Sequence, residues 1–227
     1  MVIYMVDLQK NKFRYERKYV IENVDLPSFI HEILSKSFLE VFNERRINNL
    51  YYDSINLDSI VDNIDGLSER KKYRIRWYGN TFKRSLKQFE VKFKSEFLNS
   101  KKIFNIGEFQ IKDYSNFNIS HKNLVRILKN KDLVLYEIMQ SKFLKLFNSY
   151  NRKYYLSSNK NIRITIDTDL NFYSPLTKNV FKEKKIIVEI KYNKEFKFLN
   201  EFKNLRINKY SKYVKGVVST TFYNPIY

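Results

Sequence analysis

Two stretches in which charged and apolar residues alternate constrain what this chain can fold into. Residues 72–78 read K-Y-R-I-R-W-Y, and residues 89–94 read F-E-V-K-F-K. Successive side chains of a β-strand point to opposite faces. Each stretch therefore predicts a strand with one charged face and one apolar face. Gly79-Asn80 is a turn signal between the two stretches, which predicts that they form a pair.

The rest of the chain repeats this pattern. Further strands are predicted at residues 13–21, 47–53, 151–156, 162–167 and 186–192. Helices with apolar stripes are predicted from Asp25 to about Phe42 and at residues 120–129, 133–147 and 208–218. The charged strand faces comprise Arg14/Glu16/Lys18, Lys72/Arg74/Arg76, Glu90/Lys92/Lys94, Arg152, Arg163/Thr165/Asp167 and Glu189/Lys191.

The charge balance predicts an anionic partner. The 227 residues contain 43 Lys and Arg against 24 Asp and Glu, a formal net charge of +19, which favours nucleic acid, a phosphorylated molecule or polymer, or an acidic membrane surface.

The absence of cysteine excludes disulfides, thiolate metal sites and a cysteine nucleophile. No apolar run approaches the roughly 20 residues that span a bilayer, and the first residues lack a secretory signal. We expect one cytoplasmic domain over residues 1–227, with residues 1–12 as a loose leader.

Two arrangements explain the alternation. In the first, a sheet packed on helices exposes its charged face to water. In the second, the strands close into a barrel with the charged faces inward. The polar face is poor in Ser, Thr and Gln and rich in Arg and Lys, which favours the barrel. Two cations 6 Å apart repel by roughly 3 kcal/mol at an effective dielectric near 20, so such an interior needs a polyanion. We predict an α+β fold: a closed antiparallel β-barrel with a basic interior and amphipathic helices packed outside.

Four carboxylates share the predicted interior. Glu16, Glu90, Asp167 and Glu189 could each neutralise a neighbouring cation, and for Glu90 and Asp167 we favour that role. Phosphoryl transfer generally uses a divalent ion that bridges carboxylate and phosphate oxygens. Glu189 lies on a late strand with few other carboxylates, so it is the first candidate metal ligand and Glu16 is the second.

The C-terminal segment N-K-Y-S-K-Y-V-K-G adds a separate clue. If Asn208 caps a helix, Lys209, Ser211 and Lys212 lie in its first turn. Cations there oppose the helix dipole, and a phosphate bound at that end would reverse the effect. The alternative is a set of solvated lysines in a lysine-rich chain.

The sequence resembles the VTC-type polyphosphate polymerase domain of the triphosphate tunnel metalloenzyme (CYTH-like) superfamily. The most specific match is the run D-G-L-S-E-R-K-K-Y-R-I-R-W-Y-G at residues 65–79. The other matches, in family order, are R-Y-E-R-K-Y (14–19), N-L-Y-Y-D-S (49–54), F-E-V-K-F-K (89–94), Arg152, R-I-T-I-D-T (163–168), V-E-I-K-Y (188–192) and K-Y-S-K-Y (209–213).

The resemblance implies an antiparallel barrel around a basic tunnel and an enzyme that moves the γ-phosphate of ATP onto inorganic polyphosphate, using Mn²⁺ or Mg²⁺. Glu189 would hold the metal ion, with Glu16 as the second candidate. The residues expected to act on the phosphates in catalysis are Lys18, Arg74, Arg76, Lys92, Arg152 and Arg163. The further residues expected to bind substrate are Lys72, Lys94, Lys209, Ser211 and Lys212.

Other functions remain open at this point. The wider superfamily carries E-x-E-x-K on its first strand, whereas this chain has Arg14 in place of the first Glu. That departure weakens the inference that this chain hydrolyses its substrate with a metal ion held by two carboxylates. A hydrolase of tripolyphosphate or nucleoside triphosphates is nevertheless the alternative enzyme. A non-catalytic polyphosphate-binding protein is a third possibility. We expect no specific nucleic-acid partner, because the cations alternate with apolar residues, and any membrane partner is expected to be a separate protein.

Overall fold

The computed structural model describes residues 15–95, 98–192, 202 and 205–221, without the side chains of residues 98 and 99. Its strands are β1 (Tyr15–Ile21), β2 (Phe38–Asp53), β3 (Arg70–Tyr78), β4 (Ser85–Ser95), β5 (Leu98–Phe109), β6 (Phe143–Ser157), β7 (Ile162–Tyr173), β8 (Val180–Glu183) and β9 (Ile186–Tyr192). Its α-helices are α1 (Leu26–Ser35), α2 (Asp58–Ile64), α3 (Phe117–Lys131), α4 (Leu133–Gln140) and α5 (Lys212–Thr221).

The strands form one antiparallel sheet in the order β1-β9-β7-β6-β2-β3-β4-β5, and β8 pairs with β7. This confirms the α+β class and the antiparallel sheet. The prediction of a closed barrel is not confirmed, because β1 and β5 do not pair with each other in the described part of the chain. Instead, Ile207 forms a bridge with Tyr19 on the outer edge of β1. The Asn208 amide donates to the Lys18 carbonyl at 2.8 Å.

The sheet is nevertheless strongly rolled. Five strand-to-strand steps separate β1 from β3, which would be about 24 Å in a flat sheet. Yet Lys18 Nζ on β1 donates to the Tyr210 carbonyl at 3.1 Å, and Lys72 Nζ on β3 donates to Ser211 Oγ at 3.1 Å. Because Tyr210 and Ser211 are consecutive, the two lysines face each other across the concave side. We call this charged concave surface the basic groove.

Three helices cover the convex, apolar side of the sheet, as predicted. Helices α3 and α4 pack on β3 and β4 around Ile75, Trp77 and Phe89, which are fully buried. Helix α1 packs its buried Phe29 and Ile33 on the isoleucine and valine side chains of β7 and β9. Each buried apolar side chain of this size contributes roughly 1.5–3 kcal/mol relative to an exposed one.

Helix α5 departs from the predicted arrangement, because it packs on the concave side. Its buried Tyr213 and Val217 lie in a cluster with Tyr51, Tyr150 and Ile187, which share the strand faces that carry the groove cations. The Tyr213 hydroxyl donates to the buried Asp53 carboxylate at 2.9 Å. The helix therefore fills part of the groove with apolar side chains, and charged residues line the remainder.

Gly216 permits the close approach of α5 to the sheet. A Cβ atom at this position would lie closer than 3.0 Å to the side chains of Leu146 and Phe172. We expect Gly216→Ala to destabilise the protein by about 1–3 kcal/mol, the usual cost of overpacking a core. Urea unfolding measures this change. Val218→Ala, on the exposed side of α5, is the control and is expected to stay within about 0.5 kcal/mol; equal effects would contradict this explanation.

Two helices end earlier than their apolar patterns predicted. Helix α1 ends at Ser35, and Ser37 adopts a left-handed conformation with φ 61°. The chain then enters β2 at Phe38, which pairs with Ser157 of β6. The helix predicted at residues 133–147 likewise ends at Gln140, and the rest of that stretch begins β6. Pairing between β2 and β6 outweighs helical spacing in both places.

Two sequence-based expectations fall on residues outside the described part of the chain. They are the loose leader at residues 1–12, together with the first two residues of the first predicted strand, and most of the segment 198–205. Separately, none of the described helices has the length and apolarity needed to cross a membrane.

Candidate functional site

The alternation of strand residues places the predicted cations in one groove. Strand pairing sets Lys72 opposite Lys92, Arg74 opposite Glu90, and Lys18 opposite Glu189. Residues directly opposite each other in a ladder share a face of the sheet. The predicted residues on the groove strands are Glu16 and Lys18 (β1), Lys72, Arg74 and Arg76 (β3), Lys92 and Lys94 (β4), Arg152 (β6), Arg163 (β7) and Glu189 (β9).

Arg74 and Arg76 are held by one carboxylate. Glu90 pairs with the Arg74 guanidinium, whose Nε lies 2.8 Å from Glu90 Oε2, and Arg76 lies 3.8 Å from the other oxygen. Burial opposes ionisation of Glu90, but the charges of Arg74 and Arg76 outweigh burial and hold its pKa well below its ordinary value. Arg76 also donates to Asn49 Oδ1 at 2.9 Å. Glu90 thus positions both guanidinium groups, which supports the neutralising role expected for it.

Asp167 holds Arg152 and Lys212 in place, as Glu90 holds Arg74 and Arg76. Its carboxylate is fully buried and accepts two hydrogen bonds from Arg152, at 2.5 and 2.6 Å, and one from Lys212 Nζ at 2.6 Å. Burial disfavours the charged form of Asp167, yet Arg152 and Lys212 lower its pKa. The ammonium group of Lys212 lies 4.8 Å from the Tyr150 ring centroid. The carboxylate therefore ties α5 to the sheet.

The two candidate metal ligands share a cluster on β1 and β9. Lys191 Nζ lies 2.7 Å from Glu189 and 3.3 Å from Glu16, and Lys18 Nζ lies 3.3 Å from Glu16. Burial opposes ionisation of Glu189, but the charges of Lys191, Lys18, Arg152 and Lys92 hold its pKa well below its ordinary value. Burial and the charge of Glu189 oppose ionisation of Glu16, but the charges of Lys18 and Lys191 lower its pKa, so both carboxylates are ionised at neutral pH.

The carboxylates of Glu16 and Glu189 fit a site for a divalent ion whose remaining ligands come from the substrate. Within the described residues, no cluster of three or more His, Cys, Asp or Glu side chains could hold a metal alone. Mg²⁺ characteristically uses one or two carboxylates together with phosphate oxygens and water. Glu16 and Glu189 repel each other electrostatically, and a cation between them would relieve that repulsion. They fit such a site, with the remaining ligands supplied by phosphate.

Several groove lysines have no carboxylate partner at ion-pair distance in the described part of the chain. The charge of Arg74, burial and the charge of Lys191 hold the pKa of Lys92 well below its ordinary value. Burial, with the charges of Lys18 and Arg70, lowers the pKa of Lys72 to about 7. Burial and the charge of Arg70 also lower the pKa of Lys94. The groove thus disfavours its own positive charge, and a bound polyanion would reverse this.

We expect Lys72 to make anion binding depend on pH. A bound polyphosphate stabilises the charged ammonium group, so the pKa of Lys72 rises above about 7 on binding and up to about one proton is taken up at pH 8. Affinity for tripolyphosphate is therefore expected to fall as pH increases above 7. Titration calorimetry in two buffers of different ionisation enthalpy measures the uptake. Lys72→Arg keeps the charge but stays protonated and should take up less; equal uptake by both proteins would contradict the assignment.

The closing helix differs from its prediction. Helix α5 begins at Lys212, and Ser211 occupies the cap position that was predicted for Asn208. The Ser211 carbonyl accepts from the Lys215 amide at 2.9 Å, and Ser211 Oγ accepts from the Val214 amide at 3.4 Å. Lys209 is exposed and lies before the helix, so it is not a first-turn residue. Ser211 and Lys212 do face the groove, through Lys72 and Asp167 respectively.

Three groove residues were not among the predicted site residues. Lys191 bridges Glu16 and Glu189, and its alternation with Glu189 on β9 could have identified it. Lys101 on β5 lies opposite Lys92, and the charges of Arg76, Arg74 and Lys191 act on it across the groove. Thr165 lies opposite Glu189, and its buried hydroxyl has no hydrogen-bond partner among the described residues. The alternation along β7 placed that threonine on the charged face with Arg163 and Asp167, but nothing in the sequence marked it as a site residue.

Comparisons with known proteins place the chain in a family. The family model described as the VTC domain matches residues 13–221. No curated protein matches the chain. A structure from Vibrio parahaemolyticus, titled as a candidate adenylate cyclase, has 13% identity and a TM-score of 0.44 over 83% of this chain and 80% of that one. A protein from Pyrococcus horikoshii OT3 has 13% identity and a TM-score of 0.38, over 81% and 80%. By its match over nearly the whole length, the chain belongs to the VTC domain family.

Proposed function

We propose that this protein is a metal-dependent polyphosphate polymerase that transfers the γ-phosphate of ATP onto a polyphosphate chain. The observation that carries the proposal is the excess of cations over carboxylates in the basic groove. Glu90 and Asp167 each serve two cations, whereas Lys72 and Lys92 have no carboxylate at ion-pair distance in the described part of the chain. A bound chain of phosphates supplies the missing negative charge.

The groove residues act by binding and orienting phosphates. Arg74 and Arg76, held by Glu90, present guanidinium groups that match phosphate oxygens bidentately, and Lys72 and Lys92 add point charges. These groups neutralise charge that builds up on the transferred phosphoryl group. A terminal oxygen of the acceptor attacks the γ-phosphorus, the bond from that phosphorus to the β–γ bridging oxygen breaks, and ADP leaves. No side-chain nucleophile is needed.

A divalent ion, Mn²⁺ or Mg²⁺, would be held by Glu189 and Glu16. When bound, it lowers the charge barrier between the two phosphate groups. Lys191 lies between the two carboxylates, and its charge, together with that of Lys18, favours the ionised form of both.

Gel analysis of products after incubation with ATP and Mn²⁺ tests the proposal. A polymerase produces a ladder of polyphosphate and an equivalent amount of ADP. Orthophosphate with ADP and no chains would identify a hydrolase of the same groove. Binding of polyphosphate without release of ADP would identify a binding protein. Either of these two results overturns the polymerase proposal.

A further inference from the structure

Thr165 carries a buried hydroxyl group on the groove face of β7. It alternates with Arg163 and Asp167, whereas Ile164 and Ile166 lie in the apolar cluster on the convex side. Only 5% of Thr165 is exposed, and its Oγ1 has no hydrogen-bond partner among the described residues. The basic groove therefore contains a polar atom that the described part of the chain leaves unsatisfied.

A buried hydroxyl without a partner destabilises the folded protein. The large majority of buried polar side-chain atoms in proteins have a partner, and a buried group that lacks one costs about 1–3 kcal/mol. Valine has nearly the same shape as threonine and is equally suited to a strand, so the sheet itself does not require the hydroxyl. A ligand bound in the groove would give this oxygen a partner.

The hydroxyl lies beside the first candidate metal ligand. Thr165 is directly opposite Glu189 in the β7–β9 ladder, and the Cβ atoms of directly opposite residues are about 4.5–5.5 Å apart. Glu16 follows on β1, where it is opposite Lys191, and Lys191 contacts both carboxylates. Three adjacent strands, β7, β9 and β1, thus each place one oxygen-bearing side chain on the same face of the sheet.

A divalent ion suits this hydroxyl better than a phosphate group does. The charge of Glu189 repels phosphate and attracts a cation. Mg²⁺ and related ions prefer oxygen ligands, and the Ser or Thr hydroxyl of a P-loop binds Mg²⁺ next to the phosphates of a nucleotide. A hydroxyl also has an advantage over a third carboxylate, because it adds a ligand without adding negative charge that would repel polyphosphate.

We infer that the Thr165 hydroxyl is a ligand of the divalent ion that Glu189 and Glu16 hold. The inference rests on the proposed function for the presence of that ion. It assigns Thr165 to the metal and not to the phosphates, so binding of a polyphosphate with and without metal separates the two roles.

Calorimetric titration of tripolyphosphate into wild type, Thr165→Val and Thr165→Ser, once with Mn²⁺ and once with a chelator, tests the inference. The ratio of the two affinities is the gain that the metal provides. Loss of a group that supports a metal site costs about 10–100-fold in metal affinity, so Thr165→Val is expected to reduce this gain about tenfold or more. Its affinity in chelator should stay near that of wild type. Thr165→Ser keeps the hydroxyl and should keep most of the gain.

Unfolding in urea without metal provides a second measurement. Valine removes a hydroxyl that has no partner in the described part of the chain, so Thr165→Val is expected to be at least as stable as wild type. The substitution should therefore leave folding intact while it weakens metal-linked binding. A clear loss of stability would show that the hydroxyl has a structural partner, and would overturn the inference.

The binding results discriminate between explanations. If Thr165→Val weakens binding equally with Mn²⁺ and with chelator, the hydroxyl donates to phosphate and the metal assignment is wrong. An unchanged gain in Thr165→Val, or an equal loss in Thr165→Ser, also overturns it. If Thr165→Val loses the gain but wild type makes no polymer from ATP, the role of Thr165 stands and the polymerase proposal fails. If wild type makes polymer but shows no gain with Mn²⁺, the polymerase stands and the role of Thr165 fails.

Discussion

Glu189→Gln is expected to reduce metal-dependent ATP turnover by roughly 10²–10³-fold, the usual loss when one electrostatic group is removed from a reacting centre. Glu189 is almost fully buried and has Lys191, Lys18, Arg152 and Lys92 around it. The glutamine keeps the shape of the side chain but removes the charge that would hold a divalent ion. The measurement is release of ADP across a series of Mn²⁺ concentrations.

Without metal, the same substitution should strengthen the binding of tripolyphosphate, although it reduces turnover. Loss of a negative charge among cations favours a polyanion, so tripolyphosphate in the presence of a chelator should bind Glu189→Gln more tightly than wild type. Glu108→Gln, on an exposed position of β5, removes an equal charge outside the groove and serves as the control. If turnover persists in Glu189→Gln, or if binding and turnover fall together, Glu189 is not the metal ligand.

Asp167→Asn should cost about 3–5 kcal/mol of folding stability, as expected when one partner of a buried ion pair is removed. The substitution leaves Arg152 and Lys212 adjacent with no carboxylate between them. Chemical denaturation measures the loss. Asp169→Asn, on the same strand, is the matched control. Asp169 is 38% exposed and pairs with Arg46 and Lys182, so its substitution should cost about 1 kcal/mol or less.

Ligand should partly restore the stability lost in Asp167→Asn. Tripolyphosphate can replace the missing negative charge between Arg152 and Lys212, so it should raise the melting temperature of this variant more than that of wild type. A smaller rise than in wild type would show that the two cations do not reach bound phosphate. A purely structural role for Asp167 predicts equal rises in the two proteins.

Local sequence was sufficient to identify at least part of most strands and the charges on each face, but it did not predict β8 or the first residues of β2 and β6. Lys72, Arg74 and Arg76 share a face because side-chain direction alternates along a strand, whatever the rest of the chain does. The VTC family was also accessible from the sequence, through the run at residues 65–79, and is confirmed. The prediction of helix at Phe38 and at residues 143–147 was wrong. Apolar spacing there fits a helix, but pairing between β2 and β6 produces strands.

The pairing of charges could not be derived from the sequence. Glu90, Asp167, Glu16 and Glu189 are all carboxylates on groove faces, and only strand register decides that the first two serve arginines while the last two share Lys191.

The sequence by itself determined that a face of Arg and Lys side chains would recur along an antiparallel sheet, since that follows from a two-residue period. Only the tertiary structure decided how the sheet rolls, that β1 and β5 do not pair in the described part of the chain, and that α5 lies inside the groove. These features depend on contacts such as that of Lys72 with Ser211, whose partners are far apart in the chain and meet only after the strands have paired.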